Sequence, residues 1–253
     1  MIRLSAVIIT FNEERNIGRC IDSLKGVADE IIVVDSFSKD KTEEICKTKG
    51  AKFIPHAFEG YIQQKNFALE LAEHPILLSL DADEALSDEL RASILKVKED
   101  FSADCYSFNR LTNYCGHWVR HGGWYPDRKL RLIRQGAATW GGVNPHDRLI
   151  PGSEARVAHI PGDLLHYSYY SVEEHDRQIE KFSAISAESL YKAGKRSSAL
   201  KIAVKPVLRF FRDFVLKTGF LDGSTGWTIA LRSYKAARMK YVRLMEYQQK
   251  VSP

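Results

Sequence analysis

Cysteine is scarce in this chain and follows no pairing pattern: Cys20, Cys46, Cys105 and Cys115 form no CxxC. That excludes a disulfide framework and suits a reducing compartment, so cytoplasmic residence is expected. Long hydrophobic runs are missing too. No apolar stretch reaches the length that spans a bilayer. Met1-Ile2-Arg3 leads through a short strand-like run straight to Asn12-Glu13-Glu14, without the apolar core and cleavage site of a secretion signal.

Familiar chemical signatures are absent as well. No GxGxxG follows the first strand-like run, which argues against a dinucleotide fold, and no GxxxxGK followed by Ser or Thr occurs, which argues against a P-loop. An aspartyl phosphotransferase needs its acid on the first strand, where this chain carries Asn12, so response-regulator chemistry fails. His117 and His121 are four apart, but no HExxH is present and glycines flank them, against a zinc site. There is no zinc finger, basic zipper or RNA-binding aromatic motif, and nucleic acid is not an expected partner.

What is present is a globular composition, with 44% hydrophobic and 27% charged residues over 253 positions, enough for one large or two small domains. The net charge of +5 hides an asymmetry. Between Arg177 and Lys250 there are 16 Lys and Arg against 5 Asp and Glu, so this stretch carries +11 and the remainder −6. A basic tail predicts an anionic partner.

The first hundred residues alternate β-branched runs with helix-period segments, the pattern of βαβ units on a largely parallel sheet. Strands are expected at 4–10, 30–35, 51–55 and 76–81, and helices at 13–25, 40–49 and 61–72. The second of these helices opens with a capping-box pattern, Asp40 followed by Glu43. Another helix follows Ser87 as its cap. From Ala103 to Pro161 glycines and prolines punctuate short runs, which suits strands and functional loops. After about residue 170 the chain reads as helical, with breaks at Gly194, near Pro206, and from Gly219 to Gly226. The expected organisation is an α/β domain over 1–168 followed by a basic helical region over 169–253.

The residues that follow the strands carry the chemistry, because ligands of an open α/β sheet bind beyond its carboxyl edge. Strand one ends in Thr10-Phe11-Asn12-Glu13-Glu14, strand two in Asp35-Ser36, and strand four in Asp81-Ala82-Asp83-Glu84, while Lys65 in the third helix is expected to be available to a phosphate of the ligand. Neighbouring carboxylates raise one another's pKa unless something positive neutralises them, so Asp81 and Asp83 predict a cation. Cap and dipole chemistry accounts for Asp88 and Glu89 and partly for Glu84, but not for Asp81 or Asp83. Four polar segments converging on one sheet edge favour a nucleotide site.

These segments, with Gln64-Lys65-Asn66, Gly123-Trp124-Tyr125-Pro126-Asp127, Lys129-Leu130-Arg131-Leu132 and Gly219-Phe220-Leu221-Asp222-Gly223, resemble the inverting glycosyltransferases of the GT-A fold. Within them the chain is similar to the bacterial lipopolysaccharide-core β-glucosyltransferase group. The resemblance implies that Thr10, Asn12 and Asp35, with Glu13 or Glu14 nearby, hold the uracil and ribose of a nucleotide sugar. Asp81 faces ribose or sugar hydroxyls, and Asp83 coordinates a Mg²⁺ or Mn²⁺ that bridges the diphosphate. His166 is a further candidate ligand of the metal or diphosphate. Inversion requires one general base across the sugar from the diphosphate. Asp147, in Asn144-Pro145-His146-Asp147, and Asp127 are the candidates. Asp147 is preferred because related enzymes place a His-Glu pair in the corresponding loop, although Asp here is shorter by one methylene.

Of the aromatics Trp118, Trp124, Tyr125 and Trp140, the middle two are the candidates for contact with an acceptor sugar. In residues 201–216, Lys201, Lys205, Arg209 and Arg212 recur at helical spacing beside Val204, Val207, Leu208, Phe211, Phe214 and Val215. Such a helix either packs on a core or lies in a membrane interface. Each basic residue near an anionic leaflet contributes about 1 kcal/mol, which favours the interface. The expected protein is a metal-dependent transferase of a hexose, glucose from a UDP donor, to a lipid-linked lipopolysaccharide-core acceptor at the inner face of the cytoplasmic membrane. The alternatives are a different lipid-linked or protein acceptor, or a silent nucleotide-sugar-binding scaffold.

Overall fold

The computed structural model describes residues 1–143 and 146–249, and the chain divides into two compact units. The first contains Met1–Arg110 and Asp127–Tyr167, the second Leu111–Pro126 and Ser168–Pro253.

The first unit is built on a sheet whose first strands are β1 (Leu4–Thr10), β2 (Glu30–Asp35), β3 (Lys52–Pro55) and β4 (Ile76–Asp81). They pair in parallel in the order β3-β2-β1-β4, with Val7 opposite Ile32 on one side and Ser79 on the other. Their runs are apolar almost throughout because helices cover both faces. The helices are α1 (Ile17–Leu24), α2 (Thr42–Thr48), α3 (Tyr61–Glu70) and α4 (Asp88–Glu99). One core layer gathers Ile8, Ile21, Leu24, Val33 and Leu78, and the other Val7, Ile32, Val34, Ala68 and Leu77.

Beyond β4 the sheet becomes antiparallel, through β8 (Asp127–Arg134), β6 (Cys105–Tyr114), β11 (Val157–Tyr169) and β5 (Glu84–Leu86). Only Ala82 and Asp83 separate β4 from β5, yet β4 is fourth and β5 last in the sheet order. The sheet therefore curls so that both ends of the Asp81-Ala82-Asp83-Glu84 run are held by strands. A separate hairpin joins β9 (Ala138–Val143) to β10 (His146–Pro151).

Two local expectations in this unit differ from the structure. Helix α1 starts at Ile17 rather than Glu13, because Asn12 takes a left-handed φ of 54° and Glu13 to Asn16 form a turn closed on the Glu13 carbonyl. Asp40 does not form a capping box with Glu43: its Oδ1 accepts from the Thr42 amide at 3.0 Å and its Oδ2 from the Glu14 amide at 3.0 Å, while Glu43 pairs with Lys47. Ser87 caps α4 as expected, accepting from the Leu90 amide at 3.2 Å.

The second unit is helical. It holds α5 (Val172–Lys192), α6 (Ala199–Phe211), a π-helical turn at Arg212–Leu216, a 3-10 turn at Gly219–Asp222, and α7 (Gly223–Gln249). Short β7 (His117–Val119) pairs with the end of β6. Pro206 does not interrupt the chain as expected; it is buried within α6, which packs along α7. The third expected break, from Gly219, ends at Gly223, and Gly226 lies inside α7, where a Cβ would stand 1.8 Å from the Gly219 carbonyl oxygen. Among the described residues no helix is long and apolar enough to cross a membrane.

Candidate active site

Each member of the Gln64-Lys65-Asn66 run, on α3, reaches a different part of the first unit. Gln64 meets His56 Nδ1 at 2.9 Å and donates to Ser36 Oγ at 3.2 Å. Asn66 exchanges two bonds with the backbone of Trp140, at 3.0 and 2.9 Å, and so anchors β9. Between them the buried Lys65 puts its ammonium 2.9 Å from Asp81 and 2.8 Å from Asp147, with Nζ 4.2 Å above the Trp140 ring.

Lys65 is one link in a longer chain of alternating charge. Arg131 of β8 lies one residue from the Leu78–Leu132 pair of β4 and β8. It contacts Asp81 at 3.1 Å and the buried Glu84 at 3.0 Å. Arg110 lies 3.6 Å from Glu84 and 2.9 Å from Asp127, its cross-strand neighbour. The order is thus Asp127, Arg110, Glu84, Arg131, Asp81, Lys65, Asp147. Burial opposes the charge on Asp81, but Lys65 and Arg131 outweigh it and hold that carboxyl well below the usual range. Burial likewise opposes the Arg131 charge, and Glu84 and Asp81 more than compensate.

Asp83 stands apart from this chain. Its Oδ2 lies 3.2 Å from His166 Nε2, which β11 brings opposite Glu84 of β5. The fold thus brings Asp83 and His166 together, whereas Asp81 is occupied by cations of the protein. Glu84 is an internal ion-pair partner, a role that cap chemistry does not foresee.

Glu13 is pushed up to about 7, first by burial and then by the charges of Asp83, Asp40 and Asp81, against a hydrogen bond from Asn16. Asp35, at the end of β2, accepts from the Ser38 amide at 2.7 Å and hydroxyl at 2.5 Å. Asn12 receives the Lys39 amide on its Oδ1 at 2.8 Å and donates its own amide to Ser38 at 2.7 Å. Asn12 therefore ties the β1 loop to the β2 loop, and Asp35 fixes the Ser38 that it meets. The hydroxyl of Thr10 is buried without a hydrogen-bond partner among the described residues.

The two base candidates differ in their surroundings. Asp127 has one oxygen on Arg110 and the other 2.9 Å from Lys129. Asp147, opposite Gly142 in the hairpin, has Oδ2 on Lys65. Asn144 and Pro145 of its loop lie outside the described residues. The aromatics divide: Trp140 packs beneath Lys65 and Arg131 in the first unit, while Trp124 packs on Tyr114, Tyr169 and His175 in the second.

No set of three or more His, Cys, Asp or Glu that could hold a metal occurs among the described residues. Mg²⁺ and Mn²⁺ in phosphate chemistry need fewer, since they take one or two protein ligands and complete their shell with water and substrate oxygens. The Asp83–His166 pair fits a cation of that kind and does not fit a cage made of protein alone.

A curled α/β sheet with polar loops at its strand ends defines the class: a GT-A glycosyltransferase. Residues 5–149 match the model of glycosyl transferase family 2, and the chain belongs to that family. It is 30% identical over 97% of its length to an uncharacterized glycosyltransferase of Rickettsia typhi, covering 88% of that protein. It is also 30% identical to the lipopolysaccharide core biosynthesis glycosyltransferase LpsC of Rhizobium meliloti, over 88% of this chain and 87% of that one. Among solved structures, S. aureus TarS 1-349 in complex with UDP aligns over 99% of this chain and 92% of its own, at 15% identity and a TM-score of 0.48. The family assignment stands on the sequence matches.

Arg110, Arg131 and Trp140 are the members of the site that carried no role in the sequence. Their partners lie far away along the chain, and only the alternation of acids with unassigned cations on neighbouring strands hinted at them.

Proposed function

We propose that this glycosyltransferase moves a hexose, glucose, from a UDP-linked donor to a lipid-linked acceptor of the lipopolysaccharide-core type, with inversion, at the inner face of the cytoplasmic membrane. One observation supports the donor chemistry most directly: Asp81 is taken up by Lys65 and Arg131, which leaves Asp83 with His166 to serve a cation. Bound there, Mg²⁺ or Mn²⁺ would offset the charge developing on the departing diphosphate. Thr10, with its unused hydroxyl, and the loop braced by Asn12 and Asp35 would receive the nucleoside.

Asp147 serves as the base. Lys65 takes its Oδ2, which leaves Oδ1 to accept the proton of the acceptor hydroxyl as that oxygen attacks the anomeric carbon, whereas both oxygens of Asp127 are engaged. The likeness to LpsC along most of both chains supports the acceptor class, and the basic C-terminal helices would hold the enzyme at an anionic membrane surface.

The test is transfer and hydrolysis of UDP-sugars by purified wild type, Asp83→Asn and Asp147→Asn. Loss of a general base lowers kcat about 10²–10⁴-fold, so Asp147→Asn is expected to lose that much while still binding UDP. Asp83→Asn is expected to lose turnover together with its response to divalent cation. Full activity in both variants would refute both roles.

A further inference from the structure

The sequence pattern of residues 201–216 left two uses for the apolar side chains of α6, packing on a core or facing a membrane. In the second unit, α6 has three faces rather than two. One row, Ile202, Pro206 and Phe210, is buried or half-buried on the side packed along α7, continuing to the buried Asp213 of the π-helical turn. A second row is apolar and open: Leu200, Val204, Val207, Leu208 and Phe211, continued by Leu216, have 41–72% of their surface exposed. The third row is basic and exposed: Lys201, Lys205, Arg209 and Arg212. The apolar residues of this open row thus do not serve the core.

The open row continues beyond α6. Phe220 and Leu221 on the 3-10 turn and Trp227 on α7 are each about half exposed. Phe214 joins them to α6, with ring centres 6.3 Å from Phe220 and 5.3 Å from Trp227. Scattered exposed apolar residues need no explanation, but a contiguous set marks an interaction surface.

Charge selects the occupant. From Ala199 to Asp222 the only acids are Asp213 and Asp222. Both are buried, Asp213 beneath Arg209 at 2.5 Å and Arg212 at 2.7 Å, and Asp222 against the His121 amide at 2.8 Å. The outward surface therefore combines apolar side chains with Lys and Arg and no exposed carboxylate. A second copy docked face to face would set one basic row against the other, whereas an anionic bilayer offers acyl chains for the apolar row and headgroup phosphates for the cations.

We infer that α6 and the two turns after it form a membrane-insertion face, lying flat in an anionic lipid surface with the apolar row among the upper acyl chains. This rests on the reading of a peripheral membrane enzyme given above, and changes its physics from adsorption of a charged tail to insertion. Adsorption disappears at high salt, because charges in water are screened. Insertion of an apolar row persists.

The full-length protein is sedimented with vesicles of phosphatidylcholine alone or mixed with phosphatidylglycerol, at low and high salt, beside the variant carrying Leu208→Glu and Phe211→Glu. Binding to the mixed vesicles is expected to weaken but survive at high salt, and the double variant to bind at least about tenfold more weakly at either salt. Trp227 fluorescence should be quenched by lipids brominated on their acyl chains, with a smaller loss in Trp227→Phe. Equal binding by the double variant, complete release of wild type by salt, or absence of vesicle binding would overturn the inference. So would a dimer in solution that the double variant dissolves, which would give the face to a second copy. UDP binding followed by thermal shift separates this from the catalytic reading. A double variant that binds UDP but not vesicles supports insertion, and a wild type that binds vesicles but no nucleotide removes the transferase proposal alone.

Discussion

Lys65 and Asp83 stand near each other in the chain's chemistry but not in its energetics. Lys65 is buried and answers two carboxylates, so Lys65→Met would leave Asp81 and Asp147 without their shared cation. Breaking a buried pair from one side costs about 3–5 kcal/mol, and the variant should show a lower urea midpoint at unchanged slope. Asp83 is partly exposed and meets a neighbouring imidazole, so Asp83→Asn should move stability by no more than about 1 kcal/mol. The two acids of the Asp81-Ala82-Asp83 turn would thus separate in one experiment: the Lys65 network holds the fold, and Asp83 is spare for ligand. A large loss of stability in Asp83→Asn would place it in the structural network instead.

At the scale of elements, α5 carries a pH dependence of its own. Its His175 is buried, with Nδ1 3.0 Å from the Tyr114 hydroxyl and its ring against Tyr169. Burial first, then the charge of Arg232, push this imidazole down from 6.5 to about 4. In the unfolded chain it takes up a proton as pH falls through 6.5, while in the folded unit it stays neutral until about 4. The unfolded state therefore binds more protons in that window, and stability is lost as pH falls from 6.5 to 4, by up to about 3 kcal/mol. Above 6.5 the residue has no effect. His175→Gln should flatten that part of a pH series of urea midpoints, and an unchanged slope would exclude His175 as its source.

Elements were legible in the sequence wherever a local rule decides them. The apolar runs of β1, β2 and β4 and the Ser87 cap follow from pattern alone, whereas the start of α1 depends on a left-handed Asn12 and the persistence of α6 through Pro206 depends on burial against α7. The site divided in the same way. Asp81 and Asp83 announced themselves as adjacent acids after a strand, but nothing local told them apart. The distinction comes from Lys65 and Arg131, 16 and 50 residues away along the chain, and such pairings become visible only once the sheet has curled.

For the whole chain, charge sets the terms of donor binding. Outside residues 177–250 the net charge is −6, and burial first, reinforced by the charges of Asp83, Asp40 and Asp81, pushes Glu13 up to about 7. A nucleoside diphosphate arriving there alone adds negative charge to negative, and a divalent cation arriving alone finds Asp83 and His166 but no third protein ligand among the described residues. Each should therefore bind weakly by itself and strengthen the other, since a coupling free energy is shared equally by both ligands. A ligand at one hundred times its dissociation constant raises stability by about 2.7 kcal/mol, or on the order of 5–10 °C in Tm for a chain of this size. UDP with Mn²⁺ should give a shift of that order, larger than the two separate shifts added together. Asp83→Asn should abolish the excess while leaving any shift from UDP alone. Shifts that merely add would mean that the cation does not bridge protein and diphosphate, and would remove Asp83 from the donor site.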